Sequence, residues 1–434
     1  MNRNLILILV LLLLNNCSFD QKSGIWTESK VVQTKNSQSI QNLFVKKEPL
    51  SYEFNKDLKI KLASKNKKKS DNYNNTNNER SFFFNSNLDN IYKTKFSKID
   101  NFNKFDPNIL IRNNSITFFD NKGAIFKLDK NLKTKWKKNY YSKSEVKSKP
   151  LLLFGSNKNT LIVTDNLSKY YGIDMNSGKL LWMKKNSAPF NSEIKFYKDK
   201  FFLIDIENTI RCFSTVNGLE IWSFKTDTSF VKSQKKNSLI ILNKIIYSNN
   251  SNGDITALNV DSGSLVWQIS PINKELYNNS FLLKNSNLVA HEESIYFSNN
   301  QNQFFAIDAK NGFLNWKQNI NSDLKSTIID NLIFSISVEG FLIITDLNSG
   351  NIIRATNIFN KFDKKKRRKI KPVGFIVGIK YVYVTTDNGK LILIDIISGQ
   401  VKSVIKIAKS KISRPYIIDK DLIIAKNNSI IRLN

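Results

Sequence analysis

The stretch Tyr170–Trp182, YYGIDMNSGKLLW, constrains this chain more than any other because it recurs. It returns as IRCFSTVNGLEIW (Ile210–Trp222), ITALNVDSGSLVW (Ile255–Trp267) and FFAIDAKNGFLNW (Phe304–Trp316). Two copies keep the glycine and lose the tryptophan: LIITDLNSGNIIR (Leu342–Arg354) and LILIDIISGQVKS (Leu391–Ser403). A shortened copy without its glycine, IFKLDKNLKTKW, spans Ile125–Trp136. A fixed repeat means one supersecondary unit that buries its faces only by stacking on its neighbours.

Each copy opens on β-formers, passes through Asp or Asn, and reaches Gly before a second short strand. This is a β-hairpin with glycine where the loop needs positive φ. The acidic or amide residue (Asp174, Asn259, Asp308, Asp346, Asp395) is placed to accept hydrogen bonds from loop amides. These aspartates therefore read as turn-stabilising and not catalytic. The tryptophans are expected on the buried face of the outgoing strand, between successive units.

The repeat glycines are Gly178, Gly218, Gly263, Gly312, Gly350 and Gly399, at intervals of 40, 45, 49, 38 and 49 residues. That is the length of a four-stranded propeller blade. The rest of each period holds two more strands, such as Leu161–Asp165 and Lys200–Asp205. Near the C-terminus, Pro415–Asn434 supplies three short strands and stops, while Ile91–Ile99 is a lone strand. Together they predict one shared blade that closes the ring. Seven hairpin copies and that blade give an all-β, eight-bladed propeller of four-stranded antiparallel sheets over residues 90–434.

The first residues read differently. Arg3 is followed by an unbroken apolar run, Leu5–Leu14, then Asn15, Asn16 and Cys17. The run is too short to span a bilayer and reads as a secretory signal, residues 1–16. Leu14, three before Cys17, resembles the box of bacterial lipoprotein signal peptidase, with Asn16 in place of the usual small residue. That resemblance makes Cys17 the lipidated N-terminus. Residues 17–89 lack periodicity and include KNKKKSDNYNNTNNE (Lys65–Glu79), a composition that reads as a flexible tether.

A formal net charge of +31 would ordinarily suggest nucleic acid. The excess is spread over every blade among abundant Lys, Asn, Ile and Phe, and a secretory signal removes the chain from cytoplasmic nucleic acid. One dense basic run, KFDKKKRRKIK (Lys361–Lys371), lies between the sixth and seventh blades. It reads as a solvated loop, or as a contact for anionic head groups or an acidic partner. Catalytic signatures are missing. His291 is the only histidine, and apart from Cys17 the only cysteine is Cys212, expected as a small core residue. No Gly-x-Ser-x-Gly, P-loop or dinucleotide fingerprint occurs. No cofactor and no metal are expected.

The tryptophans are not followed by Asp, as WD40 repeats require. The pattern Asp-x-x-x-Gly-x-x-x-Trp is similar to the repeat of pyrroloquinoline-quinone-type propellers, over Ile91–Asn434. Quinoprotein dehydrogenases carry it, and so does the BamB family of outer-membrane assembly lipoproteins. The chain resembles BamB in its blade number, its lipidated cysteine and its linker. Quinoprotein dehydrogenases are longer and typically place an adjacent cysteine pair beside the quinone, where Cys212 stands alone. The resemblance implies a non-enzymatic scaffold, lipid-anchored at the periplasmic face of the outer membrane. Its implied partners are the barrel assembly protein and unfolded outer-membrane clients. BamB carries a Leu-x-Leu-Arg contact in the loop entering its fourth blade. The nearest equivalents here are Phe230, Val231 and Lys232, and BamB's acidic pair has no counterpart near Leu283–Asn285. The alternative is a periplasmic quinoprotein-like dehydrogenase or ligand-binding propeller.

Overall fold

The computed structural model describes residues 52–62, 75–78, 86, 88, 90–100, 102–105, 107–227, 235–271 and 283–434. The chain divides into two units, residues 1–47 and 48–434, and all described residues belong to the second.

Eight four-stranded antiparallel sheets form the ring. Seven are consecutive in sequence. Blade 1 spans Leu110–Arg112 to Thr134–Lys138, and blade 2 Leu152–Asn157 to Leu180–Lys185. Blades 3, 4 and 5 start at Lys195, Leu239 and Val289, and blades 6 and 7 at Thr327 and Pro372. Blade 8 takes three strands from Tyr416–Leu433 and its fourth, Ile91–Lys95, from the other end of the propeller sequence. The closing register runs Ile91↔Leu433, Lys93↔Ile431 and Lys95↔Ser429. The closure expected from the lone strand and the truncated C-terminal blade is the one the chain adopts.

First strands of neighbouring blades touch one another, so they line the ring axis. Second and third strands are rich in buried apolar residues because both faces pack on adjacent blades. Ile162, Phe202, Ile246, Ile333 and Val382 are all fully buried. The apolar clusters accordingly straddle blades. One joins Phe202, Ile204 and Cys212 of blade 3 to Leu239, Ile246 and Leu258 of blade 4. Fourth strands are mostly outward, as in Leu265–Ile269, where no residue is fully buried.

The hairpin between third and fourth strands follows the repeat. Gly178, Gly263 and Gly399 have φ of 71°, 72° and 70°. Asp174 accepts from the amides of Asn176 and Ser177 at 3.2 and 2.8 Å, and from the Ser177 hydroxyl at 2.7 Å. Asp346 repeats the arrangement with Asn348 and Ser349. Bonds from Ser177 and Ser349 hold the two carboxyls below the usual carboxylate range.

A second series of acidic turns joins strands two and three. Asp120 accepts from the Lys122 and Ala124 amides, Asp165 from Leu167 and Lys169, and Asp205 from Glu207 and Thr209. These carboxylates are buried and bond Lys137, Tyr141 and Arg211 respectively. The repeat is thus stapled at both hairpins of a blade.

Candidate functional site

The glycine and tryptophan of the repeat act on each other across the seams. A Cβ placed on Gly218 would lie 2.5 Å from the Trp182 ring, and one on Gly350 would lie 2.5 Å from Trp316. Each tryptophan of one blade therefore lies flat on the hairpin glycine of the next. In Trp182, Trp267 and Trp316 the indole N–H donates to a carbonyl of that hairpin. Trp182 bonds Thr215 at 3.1 Å, Trp267 bonds Ala309 at 3.1 Å and Trp316 bonds Leu347 at 3.0 Å. Trp222 packs on Gly263 in the same way, but its buried N–H has no hydrogen-bond partner among the described residues.

The four tryptophans are half-buried, not enclosed as expected, because they stand on the outermost strand of their blade. Among the described tryptophans only Trp136, in the shortened copy, is buried. Opposite each of the four half-buried tryptophans across the sheet is a small residue: Gly172, Cys212, Ala257 or Ala306. This accounts for Cys212, which is fully buried, with a thiol pKa pushed up to about 12 by burial.

Tryptophan and glycine are lost together at the closing blade. Blade 8 has no such hairpin, since its third and fourth strands come from opposite ends of the sequence, and Ser403 of blade 7 stands where a tryptophan would have faced it. Blade 1 has Leu132 (φ 64°) in place of glycine, and Thr94 of blade 8 donates to the Leu132 carbonyl at 2.9 Å. The exception is Arg354, which faces an intact Gly399 hairpin.

The innermost strands, which line the ring axis, bond asparagines from the chain's own residues 75–78. Asn75 donates to the Phe196 carbonyl of blade 3 at 2.9 Å. Asn77 donates to the Leu288 carbonyl at the start of blade 5 at 2.9 Å, and accepts from Lys195 of blade 3 at 2.5 Å. Asn78 accepts from the Ile328 amide of blade 6 at 3.0 Å. These asparagines thus meet innermost strands of several different blades. Glu193 extends the network, pairing with Lys195 at 3.2 Å and accepting from Asn287 at 3.1 Å. Further along, Tyr383 of blade 7 donates to the Ser86 carbonyl at 3.1 Å, and burial pushes its phenol up to about 12.

Cys17, Phe230, Val231 and Lys232 lie outside the described residues. The described residues on either side of the last three bond the ring. The Asp227 carbonyl accepts from Asn208 at 2.9 Å, and Lys235 pairs with Asp323 at 3.8 Å. His291 stands on the innermost strand of blade 5, its Nε2 3.8 Å from the Glu292 carboxylate. In the basic run, Lys364–Arg367 form an exposed or half-exposed helical turn, with Lys366 2.9 Å from Asp363. Among the described residues no His, Cys, Asp and Glu side chains cluster as metal ligands.

No curated protein sequence matches the chain. Among solved structures it is similar to BamB from Moraxella catarrhalis, at 14% identity and TM-score 0.62, covering 79% of this chain and 100% of that one. It is also similar to a europium-containing methanol dehydrogenase, at 12% identity and TM-score 0.61, covering 83% and 90%. A third likeness is to quinohemoprotein alcohol dehydrogenase from Comamonas testosteroni, at 10% identity and TM-score 0.60, covering 82% and 78%. At these identities the likenesses establish the propeller fold. The family model described as outer membrane protein assembly factor BamB matches residues 116–356, more than half of the chain, and the chain belongs to that family.

Proposed function

We propose that this protein is a non-enzymatic scaffold lipoprotein of the outer-membrane protein assembly complex. The observation that carries the reading is the family match over residues 116–356. In this reading the signal ends before Cys17, which bears the acyl chains, palmitate among them, and holds the propeller at the periplasmic face of the outer membrane. Phe230, Val231 and Lys232 dock the barrel assembly protein through two apolar side chains and a cation. Unfolded outer-membrane chains are met by strand addition at blade edges. Nucleic acid has no part in it.

The anchor is tested by Cys17→Ser. No helix of the described residues is long and apolar enough to cross a membrane. Each buried methylene of an acyl chain contributes about 0.8 kcal/mol, so losing the chains removes the main hold on the bilayer. The variant should move from the membrane fraction to the soluble periplasm. Retention through a salt and urea wash would overturn the lipoprotein assignment.

The second reading, a quinoprotein-like dehydrogenase or ligand-binding propeller, draws on the two dehydrogenase likenesses. Against it stands the ring axis, where Asn77 and Asn78 already bond blades 3, 5 and 6. Purified protein incubated with pyrroloquinoline quinone and calcium, then desalted, should retain no quinone absorbance. A stoichiometric bound chromophore would favour the enzyme.

A further inference from the structure

Arg354 is the one residue at the tryptophan position of the repeat that lacks an indole and still faces a hairpin glycine. Its side chain lies over Gly399, where a Cβ would be 2.9 Å from the guanidinium carbon. One guanidinium nitrogen donates to the Ile396 carbonyl at 2.9 Å, the counterpart of the carbonyls bonded by Trp182, Trp267 and Trp316. The other does what an indole cannot. It donates to the Ile397 carbonyl at 2.5 Å and to the Leu58 carbonyl at 2.9 Å. Arg354 is fully buried, and burial lowers its pKa to about 10. A guanidinium held among carbonyls in this way depends on each of them, and Leu58 supplies one.

Leu58 belongs to a short segment that crosses the seam between blades 6 and 7. Phe54 and Ala355 exchange backbone hydrogen bonds at 3.0 and 2.9 Å, adding an antiparallel partner to the outer edge of blade 6. Glu53 accepts from the Asn357 amide at 3.0 Å, and Asn55 donates to the Ile353 carbonyl at 3.2 Å. At the other end, the Ile60 amide donates to the Ile397 carbonyl at 3.0 Å, and the Ile60 side chain is buried with Ile396 and Val401. The edge shows the effect. In Ile352–Asn357 three residues, Arg354, Ala355 and Thr356, are buried, whereas the fourth strands of blades 3, 4 and 5 have none.

We propose that the seam between blades 6 and 7 is a receptor for the chain's own segment Glu53–Ile60, read through Arg354. The arginine replaces the repeat's tryptophan because it makes the same seam contact and also captures a strap. The strap closes the outer edge of blade 6 to strand addition. It also brings the N-terminal chain onto the ring beside Asn357, which leads into the basic run 361–371.

The test is amide hydrogen exchange on the full chain. Phe54→Pro removes the amide that donates to Ala355 and lies outside the blades. Arg354→Trp restores the repeat residue over Gly399 and removes the donor to Leu58. In both variants the Ile60 amide should exchange at least about tenfold faster, with amides of the blade 4 strands unchanged. Phe54→Pro should leave the melting temperature of the ring unaltered, which separates release of the strap from general loosening. Ile60 protected as in the parent in Phe54→Pro would overturn the strap. Acceleration in Phe54→Pro with full protection in Arg354→Trp would overturn Arg354 as its receptor.

Discussion

Deleting Ser429–Asn434 should unfold the whole propeller. The strand Ser429–Leu433 pairs on one side with Asp421–Lys426 and on the other with Ile91–Lys95, so its loss opens the ring. Ile430, Ile431 and Leu433 are buried. Losing one such side chain typically costs about 2–5 kcal/mol, so losing three approaches the roughly 5–15 kcal/mol that holds a typical domain together. Two unpaired sheet edges would also be exposed. The expected result is loss of the cooperative thermal transition, with aggregation. A truncated protein that melts within about 2 °C of the parent would place closure elsewhere. Lys93 and Ile431 are directly opposed, so cysteines at these two positions, in a Cys212→Ser background, should form a disulfide.

Trp267→Ala has the next largest expected effect. The indole lies on Gly312, donates to the Ala309 carbonyl at 3.1 Å and packs on the Tyr247 ring at 5.7 Å between centroids. A fully buried aromatic truncated to alanine costs about 3–5 kcal/mol. Trp267 is half-buried, so about 2–3 kcal/mol is expected, read as a lower midpoint in denaturant unfolding. An unchanged midpoint would mean that the seam contacts contribute nothing and that the tryptophans serve as a surface platform.

The ring was legible in the sequence because its determinants are local. Asp174, Gly178 and Trp182 sit within one hairpin, and each has a chemical reason for its spacing. Ring closure was legible from a strand without neighbours at one end and a blade one strand short at the other. The seam geometry was less so, because the glycine's second task, accepting the previous blade's indole, links residues about 40 positions apart, as Trp182 and Gly218 are. The acidic turns at Asp120, Asp165 and Asp205 carry Gly123, Ser168 and Asn208 three positions on, all at positive φ, so no single residue type marks them and they escaped the repeat pattern. Residues 53–60 and 75–78 reach the ring through a few backbone bonds, the Glu53 carboxylate, the Ile60 side chain and asparagine amides. Neither leaves periodicity, and the Asn-rich run around Asn77 and Asn78 looks like any polar stretch. Arg354 looked like a lost tryptophan because its partner, Leu58, lies nearly 300 residues away.

The proposed scaffold role is tested by affinity capture of the tagged protein from detergent-solubilised outer membranes. The expected result is co-purification of an outer-membrane barrel assembly protein. Capture should be lost when Phe230, Val231 and Lys232 are all replaced by alanine, since interface anchors typically cost about 2 kcal/mol or more each, while the variant's melting stays unchanged. Recovery of the protein with no barrel protein bound, under conditions that keep the assembly complex intact, would contradict the scaffold role.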